Sequence, residues 1–182
     1  MAVPAGSEDR VGDGAVAVAG GASRSESVAA GLERVETDLV AVHDAARPLV
    51  TPALIDELVA ELLDRPDAAA VIAAAPITDT VKRAAEPRPA KGDAACGAST
   101  VAETVSRDHL WAAQTPQVFR TAALREALET DAQGIAAATD DAMLVEKAGG
   151  KVLLHPSPPE NLKVTTPLDL RIAELLIAER RS

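Results

Sequence analysis

Asp38-Leu39-Val40-Ala41-Val42-His43-Asp44-Ala45-Ala46-Arg47-Pro48 opens as an apolar run and stops abruptly at polar residues. No polar residue alternates with the apolar ones, so Asp38 to Val42 reads as a strand buried on both faces. A helix follows, with Thr51 as its N-cap and Pro52 in the first turn, where a missing N–H costs nothing. Leu54, Ile55, Leu58, Val59, Leu62 and Leu63 make its apolar stripe. Working outward, Ala68 to Ala75 is a further buried strand. Upstream, Ala15 to Ala19 is another, closed by Gly20-Gly21 and followed by a helix from Ser25 to about Val35. Helix-sized segments between buried strands imply parallel crossovers. The expected class is α/β, an open, mostly parallel sheet with helices on both faces.

Between Thr78 and Arg107 this rhythm breaks. Ala84 to Ser99 is rich in Pro, Gly, Ala and charge and has no periodicity, whereas the flanks Asp79–Arg83 and Ser99–Val105 look extended and could pair as an arm. Regular order resumes with helices at about 121–128 and 140–147, a strand at 151–154, and a helix from Pro167 to about Glu179. Thr166 caps that last helix, and its Leu168, Ile172, Leu175 and Leu176 are expected to face inward. There are no repeats, and residues 1–182 read as a single domain with the arm at 78–107 inside it.

Bulk composition excludes several classes. The chain has 182 residues and a formal net charge of -10, which argues against general nucleic-acid binding. A small phosphorylated ligand needs only a local cluster of cations and N–H groups and stays possible. No apolar stretch reaches the roughly 20 residues of a membrane helix. The single cysteine, Cys96, cannot pair within the chain, and the N-terminus has no signal-peptide pattern, so a cytoplasmic protein is expected.

In an open parallel sheet, ligands bind at the carboxyl ends of strands, so polar residues just after strands are the informative ones. Gly20-Gly21-Ala22-Ser23-Arg24-Ser25-Glu26-Ser27 is a small-residue turn entering a helix, either plain structure or a place for an anion or a base edge. Asp44 suits Mg²⁺ or a sugar hydroxyl and Arg47 suits a phosphate, although the two could simply pair and pin the loop. His43 reads as a packed, hydrogen-bonded side chain. Further candidates are Asp79-Thr80-Val81-Lys82, Arg107 with Gln114-Thr115-Pro116-Gln117, Thr139-Asp140-Asp141, and Lys163 just before a capped helix. No zinc spacing, nucleophile elbow or Gly-Lys-Ser/Thr phosphate loop is present. The residues alone reach an α/β domain with an anion-handling rim and name no substrate.

Taken in order, Gly-Gly-x-x-Arg-x-x-Ser, His-Asp-Ala-Ala-Arg-Pro, Asp-Thr-x-Lys, Thr-Pro-Gln, Thr-Asp-Asp and Lys-Val-Thr resemble the 2-C-methyl-D-erythritol 4-phosphate cytidylyltransferase family. The resemblance covers about Ala2 to Arg180. It implies a Rossmann-like nucleotidyltransferase that joins CTP to a methylerythritol phosphate with Mg²⁺, releasing pyrophosphate, in isoprenoid precursor synthesis. It assigns Gly21, Ala22 and Ser27 to the cytidine end of CTP, and Asp44 and Arg47 to the metal or the sugar phosphate. Thr80, Arg107 and Thr139 would bind the acceptor, with Arg107 orienting it, and Lys163 would reach the reacting phosphates. It further implies a homodimer in which the arm carries Thr80 and Arg107 to the partner's site.

Two departures from the family pattern matter. The arm holds extra Pro/Gly/Ala-rich sequence around Arg88 to Ser99. The family's opening strand, its Ala-Ala-Gly-x-Gly-x-Arg loop and a downstream Pro-Lys have no match in Met1 to Gly14, where Ala2-Val3-Pro4 instead resembles the end of a later strand. The expectation is a chain that starts partway into the fold, with unpaired sheet edges and impaired catalysis on its own. Two other readings stay open: a non-catalytic remnant that binds nucleotide or dimerises, and a cytidylyltransferase acting on ribitol 5-phosphate.

Overall fold

β4 (Ala70–Pro76) reads Ala-Val-Ile-Ala-Ala-Ala-Pro, and its first five residues are buried in the computed structural model. Described are residues 1–7, 9, 12, 14–85, 99–130 and 138–180. Successive strand side chains point to opposite faces, and β4 uses both. Val71 and Ala73 pack with Leu54, Leu58 and Leu62 of α2 (Pro52–Asp64). Ala70 and Ile72 pack on the other side. Their partners there are Leu32 of α1 (Arg24–Leu32), Leu124 of α3 (Thr121–Thr130), and Leu144 and Val145 of α4 (Asp141–Lys147). Small alanines in β4 let helices approach closely, which is how a core with one Trp, one Phe and no Tyr fills its volume.

The main sheet has four strands in the order β3-β7-β4-β8, adding β3 (Leu39–Val42), β7 (Trp111–Arg120) and β8 (Val152–Pro156). β8 lies parallel to β4, with Val152 opposite Ala70. β7 runs antiparallel to β3, with Arg120 opposite Leu39. The α/β class holds, and the sheet within it is mixed. β7 has no counterpart in the sequence reading, because Gln114, Thr115, Pro116 and Gln117 interrupt its apolar pattern. β1 (Ala2–Val3) and β2 (Val18–Ala19) pair in parallel as a separate two-stranded sheet. The buried strand expected over Ala15–Ala19 is therefore only two residues long, and Val16 is 66% exposed.

Local signals place the helices. Thr51 Oγ1 accepts the Leu54 N–H at 3.3 Å, with Pro52 in the first turn as expected. α4 is capped by Asp140, whose Oδ1 accepts the Met143 N–H at 2.9 Å, and it ends at Gly149, whose φ of +85° is cheap only for glycine.

α5 (Pro167–Arg180) starts as expected, with the Asp169 N–H donating to Thr166 Oγ1 at 3.2 Å. Its inward stripe does not materialise. Leu168 and Leu175 are 63% and 60% exposed, Ile172 is also exposed, and Ala173 is the buried residue of the helix among the described ones. Periodicity tells which residues share a helix face, and does not supply an element to cover that face.

The chain divides into two compact units, Met1–Ala74 with Ala113–Ser182, and Ala75–Ala112. The second brackets the 78–107 stretch. In it β5 (Val81–Ala84) and β6 (Val101–Val105) pair antiparallel, Val81 opposite Val105, with an Arg83–Glu103 ion pair across them. The Pro/Gly/Ala-rich middle of the arm, with Cys96, falls at 86–98, outside the described residues.

Candidate active site at the end of strand β3

β3 delivers His43 and Asp44 to the edge of the first unit, and hydrogen bonds hold them there. The Asp44 N–H donates to Thr115 Oγ1 at 2.9 Å, and that hydroxyl also meets His43 Nδ1 at 3.2 Å. His43 Nε2 lies 2.9 Å from the Arg47 carbonyl oxygen, so this histidine is a satisfied loop pin, as read from the sequence. A turn closes behind it, with the Arg47 N–H donating to the Asp44 carbonyl at 2.9 Å.

The Asp44 carboxylate is bound on both oxygens. Arg24 Nε donates to Oδ1 at 3.3 Å, and Lys163 Nζ donates to Oδ2 at 3.1 Å. Arg24 reaches onward, its Nη1 donating to Asp141 Oδ2 at 2.7 Å. Partial burial works to raise the Asp44 carboxyl, but the Lys163 and Arg24 cations outweigh it and hold the group below its ordinary value. Burial pushes the Asp141 carboxyl up against the pull of Arg24, with Asp140 and Asp44 adding to the rise. The Arg24 guanidinium is opposed by its own burial, yet the two carboxylates keep it above its ordinary value.

These groups stand at one side of a cleft of about 550 Å³. Arg24, Ser27, His43 and Asp44 supply its polar lining. Val28, Leu32, Val40 and Val42 supply an apolar wall, and Met1 and Ala2 also line the cleft. A cleft with one apolar wall and a carboxylate flanked by cations suits a polar organic ligand that carries phosphate.

Two candidate positions differ from the sequence reading. The turn before α1 has no free N–H groups at Gly21, Ala22 and Ser23. Gly21 N–H donates to Ser27 Oγ at 3.1 Å, and Glu26 Oε2 accepts from Ala22 at 2.6 Å and Ser23 at 3.2 Å. An anion there would face Glu26, so of the two ligands considered only a base edge remains. Arg47 is buried at 9% exposure, and its Nη1 donates to the Asn161 carbonyl at 2.8 Å. It makes no ion pair with Asp44, whose salt-bridge partners are Arg24 and Lys163. Arg47 therefore fastens the loop through Asn161, and its Nε is buried without a hydrogen-bond partner among the described residues.

A protein-family profile described as 2-C-methyl-D-erythritol 4-phosphate cytidylyltransferase matches residues 6–179. The chain belongs to this family. It is similar to a 2-C-methyl-D-erythritol 4-phosphate cytidylyltransferase of Azoarcus sp. (strain BH72), 45% identical over 88% of this chain and 63% of that one. It is equally similar, at 45%, to a bifunctional enzyme IspD/IspF of Anaeromyxobacter sp. (strain Fw109-5), over 97% of this chain and 45% of the relative. Among solved structures, the cytidylyltransferase of Thermus thermophilus superposes with a TM-score of 0.77 and 35% identity, covering 97% of this chain and 80% of that one. The chain thus spans less than two thirds of the length of these two curated relatives.

The other residues that the resemblance assigns to the site divide between the two units. Thr139 is exposed and lies two residues before Asp141, close along the chain to the Arg24 anchor. Thr80 and Arg107 are exposed residues of the arm unit. Three residues carry the site without having been given a role from sequence. Arg24 was visible only as the Arg of Gly-Gly-x-x-Arg-x-x-Ser, and Asp141 only as a member of the candidate string Thr139-Asp140-Asp141. Asn161, 1% exposed, bridges by its Nδ2 to Gln114 Oε1, Thr115 O and Ser157 Oγ at 2.9–3.0 Å. For Asn161 the available signal was a lone amide opening Asn-Leu-Lys-Val-Thr after a strand.

Proposed function

We propose that this chain carries the cytidylyl-transfer site of its family, joining CTP to 2-C-methyl-D-erythritol 4-phosphate in isoprenoid precursor synthesis. One observation supports this above others: Lys163 and Asp44, 119 residues apart, meet at 3.1 Å on the border of the cleft lined by Arg24 and Ser27. In the reaction a phosphate oxygen of the acceptor forms a bond to the α-phosphorus of CTP. The bond from that phosphorus to the α–β bridging oxygen breaks, and pyrophosphate leaves with the electron pair. Such chemistry rests on positioning and on neutralising charge that develops on phosphoryl oxygens.

In this reading Lys163 turns from Asp44 to the reacting phosphates. Ser27 and the Gly21–Ala22 turn meet the cytidine end, and Thr139 meets the acceptor phosphate. Among the described residues no group of three or more His, Cys, Asp or Glu is placed to hold a metal. A single carboxylate fits Mg²⁺, which takes most of its ligands from phosphates and water. Asp44 is that carboxylate, and the ion supplies charge neutralisation on the triphosphate when bound. We further propose a cytoplasmic homodimer in which the arm unit lends Thr80 and Arg107 to the partner's site. Among the described residues no helix is long and apolar enough to cross a membrane.

The test is pyrophosphate release from Mg²⁺-loaded CTP with each acceptor in turn. Release with methylerythritol phosphate and little with ribitol 5-phosphate is expected. The reverse order would reassign the acceptor, and release with neither would favour a non-catalytic nucleotide-binding or dimerising protein.

A further inference from the structure

Asp141 is the first residue of α4, its side chain is fully buried, and its Oδ1 has no hydrogen-bond partner among the described residues. A buried carboxylate satisfied on one oxygen is costly, and one partner has to justify it. That partner is Arg24, at 2.7 Å. Arg24 is the hinge of a three-residue relay: its Nη1 holds Asp141 and its Nε holds Asp44. The planar guanidinium fixes the angle between those two donors, which an ammonium group does not.

The two oxygens of Asp44 are consequently unequal. Oδ1 is held by a one-third exposed guanidinium that is itself tied to a buried group. Oδ2 is held by Lys163, 47% exposed at the end of a flexible stem. Any ligand that takes over Asp44 displaces the looser cation first.

We infer that Arg24, anchored by Asp141, is a positioning residue that fixes Asp44 through Oδ1, so that Lys163 can leave Oδ2 when Mg²⁺-loaded nucleoside triphosphate binds. This deepens the reading of Asp44 and Lys163 as ligand-binding groups and rests on it. Arg24 itself does not touch the reacting atoms. Removing the anchor loosens Asp44 in the same way as removing the arginine, so the two losses are not additive.

The experiment uses the whole chain and three variants: Arg24→Gln, Asp141→Asn and the double variant. Calorimetric affinity for Mg²⁺-loaded CTP and thermal midpoint are measured on each, and Arg24→Lys serves as a conservative control. Arg24→Gln is expected to weaken binding by roughly 10–100-fold, the range seen when a supporting partner is removed. Asp141→Asn should lose a similar factor, and the double variant should bind no worse than Arg24→Gln. Arg24→Lys, which keeps the charge and loses the fork, should recover only part of the affinity. In the ¹⁵N spectrum of the ligand-free protein the Arg24 Nε–H signal should be protected from exchange, should lose that protection in Asp141→Asn, and should persist on addition of Mg²⁺-loaded CTP.

A merely structural pair would lower the thermal midpoint and leave the affinity of the folded fraction intact, which would overturn the inference. Fully additive losses would overturn it too, as would an Nε–H signal indifferent to Asp141→Asn. Wild-type protein with no affinity for the nucleotide would instead overturn the underlying reading of the site.

Discussion

A Cβ added at Gly21 would lie 2.3 Å from Glu26 Cβ, closer than any real contact allows. Glu26 is the reciprocal half of the capping box with Ser23 that starts α1, so Gly21→Ala must push that box apart. The expected cost is about 1 kcal/mol, the usual worth of an N-cap, read as a thermal midpoint lower by roughly 2–4 °C. An unchanged midpoint would mean that the turn relaxes freely. Asp169 makes a second residue-scale case. Backbone and side-chain hydrogen bonds from Thr165, then Thr166, hold its carboxyl at about 2 against an ordinary 3.8. A depressed value means the ionised form favours the fold, so its contribution is present above pH 3.8 and is lost as pH falls through about 2. Amide exchange in the first turn of α5 should rise over that window and should show no such step in Asp169→Asn. These local devices were partly legible, since Thr166-Pro167 announced a cap. The Arg24–Asp141 pair was not, because 117 residues separate its members and nothing local links them.

At the scale of elements, α2 and α5 make an instructive contrast. Both are written with leucines at helical spacing. In α2 the stripe finds the sheet, and Leu58 is wholly buried among Val71, Ala73 and Val118. Even there Leu63 stays 60% exposed, because the covered arc is narrower than the apolar one. In α5 Leu175 is 60% exposed. Chemical denaturation of Leu58→Ala should therefore show a loss of about 2–5 kcal/mol, whereas Leu175→Ala should fall within about 0.5 kcal/mol of wild type. Similar losses in both would mean that α5 is covered in solution. The apolar run of β4 was readable because a strand buried on both faces needs no alternation, whereas β3 and β8, also read from apolar runs, lie at the edges of the sheet and are only partly buried. β7 was hidden by polar residues whose partners lie far along the chain: Gln117 Nε2 donates to Asp140 Oδ2 at 3.1 Å, and Thr115 serves Asp44 and Asn161.

For the whole molecule, the division at Ala75–Ala112 puts Thr80 and Arg107 in a unit with its own antiparallel pairing. If the proposed dimer forms through the arm, replacing residues 79–105 by a short Gly-rich turn should give a monomer by light scattering while leaving the melting of the first unit in place. A dimer that survives the deletion would place the interface elsewhere. Chain order made the family legible, because six short strings in sequence are more specific than any one of them. The site's three-dimensional wiring was less legible, since Arg47 turned out to brace the loop and Arg24 to brace Asp44. Of all the proposed roles, the decisive one is that of Lys163, which rests on Asp44 and would serve the phosphates during transfer. Formation of the cytidine diphosphate product from CTP and methylerythritol phosphate, followed by ³¹P NMR for wild type and Lys163→Ala, tests this directly. A fall of about 10²–10³ with an unchanged thermal midpoint is the predicted result; product formed by Lys163→Ala at the wild-type rate would contradict it.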